Sequence, residues 1–183
     1  MFIQTEQTPN PATLKFLPGC DVMAEGTADF PNAERAAASP LATRLFQISG
    51  VMGVFLGADF VTVTKADALE WHHLKPAILG AVMEHFTSGA PVMADSHAAA
   101  DEDYADADAE IVATIKELIE TRVRPAVAQD GGDIIFRGYD SGVVTLHMQG
   151  SCSGCPSSTA TLKHGIENML RHYVPEVVEV RAV

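Results

Sequence analysis

Residues 150–156 read Gly-Ser-Cys-Ser-Gly-Cys-Pro and hold two of the three cysteines in 183 residues. Two thiolates at Cys-x-x-Cys spacing chelate one metal ion or close a short disulfide. Tetrahedral metal and cluster sites take four ligands, so Cys152 and Cys155 supply half a set. Three uses compete. Thiol–disulfide exchange suits such a pair between a strand and a helix, although Ser151 stands where those sites usually carry an aromatic residue, and the domain is short for that fold. A zinc site would have to be completed by His147 or His164, and neither repeats a zinc-finger spacing. In the third use a second copy of the chain meets the first at a two-fold axis and brings a second cysteine pair. Four thiolates suit zinc or an iron–sulfur cluster. Cys20, after Pro18-Gly19, has no companion and reads as an incidental thiol.

The elements that must position the pair lie in the C-terminal half. Ile111, Ile115, Leu118 and Ile119 mark an amphipathic helix expected to lose its pattern near Pro125. Asp130-Gly131-Gly132-Asp133 is a turn ahead of a hairpin that closes at Asp140-Ser141-Gly142, and Val144, Leu146 and Met148 alternate along the return strand. That alternation sends His147 to the opposite face. Pro156 suits the first turn of a second helix, with Leu162, Ile166, Met169, Leu170 and Tyr173 on its buried side. Residues 177–183 form a last strand. Cys155 thus falls beside a helix N-terminus, where unpaired amides favour an anion and lower a thiol's pKa. A strand-end loop rich in Gly and Ser is expected to be exposed.

The fold class is α+β, two small α/β-sandwich-like domains with α-β-β-α-β order in the second. Domains are expected over 1–88 and 109–183, joined by an acidic linker over 89–108. The linker lacks apolar periodicity and is rich in Ala and Asp; such a segment reaches on the order of 25 Å. Its acidic cluster (Asp101, Glu102, Asp103, Asp106, Asp108) lacks the glycine and closing glutamate of a calcium loop and reads as a solvated spacer. In the first half, strands are expected over 2–7 and 12–16, a helix that begins or breaks at Pro40, and two strands around Gly57-Ala58-Asp59. A helix then follows from Trp71, with Leu74, Ile78, Ala81, Val82 and His85 at helical spacing. Its adjacent His72 and His73 do not share a face and read as surface groups.

Charge excludes some partners. A net charge of −12 argues against nucleic acid and anionic membrane surfaces, and no apolar run approaches the roughly 20 residues of a spanning helix. Three cysteines make no disulfide framework, and residues 1–10 have the pattern of neither a secretory signal nor a transit peptide. A cytoplasmic protein is expected. No residue reads as an acid, base or nucleophile acting on a substrate, so an enzyme is not expected.

The motifs, taken in order, resemble one family. Asp-Gly-Gly-Asp at 130–133, residues 150–170 and Pro-Glu-Val-Val-Glu-Val at 175–180 are similar to the C-terminal domain of NifU and Nfu-type iron–sulfur proteins. Residues 8–19, 50–65 and 71–79 resemble the Nfu N-terminal domain. The resemblance implies a carrier of a [4Fe–4S] cluster, held between two subunits by Cys152 and Cys155 of each. It implies a homodimer on cluster binding, an upstream assembly donor and apo-protein recipients. The separate cysteine-bearing scaffold domain of full-length NifU is not matched, so transfer is expected rather than assembly.

Overall fold

The computed structural model describes residues 1–94, 108–153 and 156–183. The chain divides into two compact units, Met1–His97 and Ala98–Val183. Most of the expected linker, including Asp101, Glu102, Asp103 and Asp106, lies outside the described residues.

The first unit is a five-stranded antiparallel sheet with its helices on one face. Its strands are β1 (Gln4–Gln7), β2 (Thr13–Leu17), β3 (Ala28–Phe30), β4 (Val51–Leu56) and β5 (Val61–Lys65), in the order β1-β2-β5-β4-β3. Alternation dictates the packing. Leu14, Phe16, Val54, Leu56, Val61 and Val63 point one way, into a core with Leu41, Leu45, Leu74, Ile78 and Val82. Those last residues come from α1 (Pro40–Phe46) and α2 (Trp71–Ser88). Helix α1 starts at Pro40 because Ser39 caps it, accepting a hydrogen bond from the Ala42 amide at 3.1 Å. Helix α2 buries Leu74, Ile78, Ala81, Val82 and His85, the face its spacing predicts. Residues 90–94 stay with this unit: the Ala94 amide donates to the Ala38 carbonyl at 2.8 Å, and Val92 and Met93 pack against the core.

The second unit has the expected α-β-β-α-β order. Its first helical stretch comprises α3 (Ala109–Leu118), a π-helical turn (Ile119–Val123) and α4 (Arg124–Gln129). The expected end near Pro125 is therefore wrong. Pro125 sits in the first turn of α4, behind a wider π turn, where its missing N–H and its ring are tolerated. Strands β6 (Gly132–Asp140) and β7 (Val143–Gly150) pair as an antiparallel hairpin. The turn between them has Ser141 at φ 50° and Gly142 at φ 85°, the left-handed pair that a two-residue hairpin turn prefers. Helix α5 (Pro156–Tyr173) leads to β8 (Glu179–Ala182), which lies parallel to β7. Val144, Leu146 and Met148 point into a core with Ile115, Ile119, Ile166 and Leu170. Tyr173, expected on the buried face of α5, is exposed, with its ring beneath the Arg122 guanidinium. Among the described residues no helix is long and apolar enough to cross a membrane.

Candidate functional site

The site is built where the two ends of the hairpin close. Gly132 opens β6 and pairs with Gly150, the last residue of β7, so the 130–133 turn lies against the segment that carries Cys152. Gly131 (φ 79°) and Gly150 (φ 64°) are both left-handed, which lets the chain turn sharply on each side. The Ser151 amide donates to the Gly131 carbonyl at 3.2 Å, and the Ser151 hydroxyl donates to the Asp130 carbonyl. Gly132 is glycine for want of space. A Cβ there would stand 2.7 Å from Cys152 Sγ and 2.8 Å from the Gln149 carbonyl oxygen.

Asp133 anchors the turn from beneath. It is buried, and Arg124 of α4 grips both its oxygens, Nε to Oδ1 and Nη2 to Oδ2, each at 2.8 Å. Oδ1 also accepts from the Ile134 amide at 2.8 Å. These bonds to Asp133 hold the guanidinium's proton more tightly than usual. Across the site the Thr159 hydroxyl, in the first turn of α5, donates to the Cys152 carbonyl at 3.0 Å. Gln149 is 8% exposed, and its Oε1 has no hydrogen-bond partner among the described residues.

Cys152 is not exposed as the loop composition led one to expect. It is 7% exposed and belongs to the core with Met148 and Ile166. Burial pushes its thiol up to about 11; its hydrogen bond with Ser151 opposes the rise, and Asp130 and Asp133 add to it. The lowered pKa is expected at Cys155; Cys152 shows the reverse. Cys155 lies outside the described residues. His147 is half-buried, with Nδ1 2.8 Å from the Val183 carbonyl oxygen, and His164 is exposed. Among the described residues no group of three His, Cys, Asp or Glu side chains is placed to hold a metal ion. Cys20 is exposed, in the first unit.

Sequence reasoning takes 130–133 as a turn and misses its service to Cys152. It misses Arg124 and Thr159 altogether. A buried acid nine residues after an arginine is the available signal for Arg124; for Thr159 there is none, because its partner is a backbone carbonyl.

Residues 3–89 match the family described as scaffold protein Nfu/NifU N terminal, and residues 115–181 match the NifU-like domain. Over 184 aligned residues the chain is 55% identical to a Drosophila erecta protein named NFU1 iron-sulfur cluster scaffold homolog, mitochondrial, covering 100% of this chain and 65% of that one. It is 60% identical over 181 residues to NifU-like protein 4, mitochondrial, of Arabidopsis thaliana, covering 97% and 64%. The chain thus spans just under two thirds of the length of these relatives. A solution structure of a NifU-like protein from Saccharomyces cerevisiae aligns with 52% of this chain and 87% of its own, at 26% identity and TM-score 0.48. The relatives' names point to mitochondria and correct the expectation of a cytoplasmic protein. A low cysteine count does not separate the cytosol from another reducing compartment. Nor do the first residues of a chain matching part of its relatives' length decide whether a leader precedes them.

Proposed function

The chain belongs to the Nfu/NifU-like family, an Nfu-type N-terminal domain followed by a NifU-like domain, and from that premise we propose that it carries iron–sulfur clusters. Cys152 and Cys155 of two subunits hold one [4Fe–4S] cluster as cargo, taken from an assembly donor and passed to apo-proteins. The observation that carries this reading is a count. One cluster needs four ligands, the site in one chain has two cysteines, and the third cysteine of the sequence, Cys20, belongs to the other unit. The relatives' names support cluster handling.

Residues 109–183 form the cluster-binding domain in this reading, and residues 1–88 recognise recipients.

Anaerobic reconstitution with ferrous iron and sulfide tests it. The expected product is brown and activates an apo-enzyme that needs a [4Fe–4S] cluster, its own absorption falling as the enzyme gains activity. Protein that retains no iron and sulfide contradicts the proposal. Deleting residues 1–90 is expected to spare binding and slow transfer to at least some recipients; full-rate transfer to every recipient tried would remove the recognition role.

A further inference from the structure

Cys152 points the wrong way for a ligand. Its sulfur lies in the core of the second unit, in a recess that exists because Gly132 has no side chain. A cluster cannot reach a sulfur whose residue is 7% exposed, so Cys152 has to turn outward before it can bind one. What keeps it inward is therefore part of the site's chemistry.

The bonds that hold the segment divide into two sets. Those from Ser151, to the Gly131 and Asp130 carbonyls, and from the Ser153 amide and hydroxyl, to the Gly150 carbonyl, fix the chain on either side of the cysteine. The bond from Thr159 acts on Cys152 itself, tying its carbonyl to the first turn of α5 across seven residues of chain. Thr159 is half-buried and its hydroxyl reaches the strand-end loop, so removing that bond loosens Cys152 while the Ser151 and Ser153 bonds and the β6–β7 register stay in place.

We propose that Thr159 is a positioning residue for Cys152: its hydroxyl latches the cysteine in the inward arrangement under Gly132, and cluster capture proceeds through the unlatched form. The consequence for clusters rests on the carrier reading above; the latch does not. A neutral hydrogen bond of ordinary net strength corresponds to about a five-fold change in the unlatched population, and reagent attack on a buried thiol follows that population when opening is fast.

The test uses the full chain in its cluster-free form. Iodoacetamide alkylation is followed at fixed pH and resolved by tandem mass spectrometry into Cys20, Cys152 and Cys155. Cys20, exposed in the other unit, serves as the internal standard. Cys152 is expected to react far more slowly than Cys20. Thr159→Val should speed Cys152 about five-fold and leave Cys20 unchanged, while Thr159→Ser, which keeps the hydroxyl, should restore the slow rate. Cys152 reacting at the Cys20 rate in the wild type, a Val variant as slow as wild type, or a Ser variant as fast as Val would each overturn the latch. A second arm follows anaerobic uptake of iron and sulfide by absorption, expected to be faster in Thr159→Val. Equal uptake rates in wild type and Thr159→Val would overturn the capture step. The alkylation pattern as expected, with no cluster held by any variant, would overturn the carrier reading while the latch stood.

Discussion

The two units place their buried polar groups differently. In the first, such groups are dispersed, and three of them complete local structure. Asn10 accepts from the Ala12 amide in a turn, Ser39 caps α1, and the Thr13 and Thr64 hydroxyls share a bond across neighbouring strands. In the second, Asp133, Gln149 and Ser151 all sit at the mouth of the hairpin, beside Cys152. Buried polar groups cost free energy unless they are paired. Scattered pairs maintain a fold; beside Cys152 the paired Asp133 and Ser151 fix one segment, and Gln149 Oε1 has no partner among the described residues.

The strongest way to break the contrast is at the cysteines. Cys152→Ala or Cys155→Ala leaves two thiolates per pair of chains, and iron content after reconstitution should fall to background; retention of a full cluster by either variant would show that the ligands lie elsewhere. Next is the support beneath the turn. Asp133→Ala takes the partner from Arg124 Nε and Nη2 and from the Ile134 amide, leaving Arg124 its bond to Glu120, and should destabilise the second unit by about 2–3 kcal/mol, read from urea unfolding, with the first unit's transition unmoved. An equal shift of both units would mean that Asp133 is not local to the site.

A smaller effect is expected in the first unit, where His85 is buried with Nε2 unpaired among the described residues. Burial lowers its pKa, and the neighbouring Arg44 lowers it further. The unfolded chain therefore takes up this proton more readily than the folded one. Stability from His85 is complete above about pH 6.5 and is lost as the pH falls towards the depressed folded value. Melting of the first unit from neutral pH downward should show a loss that His85→Leu removes; an identical slope in the variant would assign it to other groups. Least of all, Cys20→Ala should leave bound iron unchanged, and a clear drop would bring the two units' chemistry together.

Much of this is legible in the sequence, wherever pattern alone decides structure. The buried face of α2, the Ser39-Pro40 start of α1 and the Asp140-Ser141-Gly142 turn all follow from spacing and backbone preference. Strand β3 escapes notice because three residues are too few to show an alternation. Pro125 misleads because a helix can absorb a proline behind a π turn, which only packing reveals. At the site, the Cys-x-x-Cys pair and the 130–133 turn stand out. That the turn touches Cys152, and that Cys152 faces inward, depends on the register between Gly132 and Gly150. The hairpin turn sets that register only together with the irregularity between Phe136 and Gly138, which no local pattern encodes.

The central claim, a cluster shared between two chains, is tested most directly by size-exclusion chromatography with light scattering on matched cluster-free and reconstituted samples, with iron and sulfide assayed per chain. The account predicts a mass that doubles on loading and one [4Fe–4S] cluster for every two chains. A brown species of monomer mass carrying a whole cluster would contradict it, and would require two further ligands within a single chain.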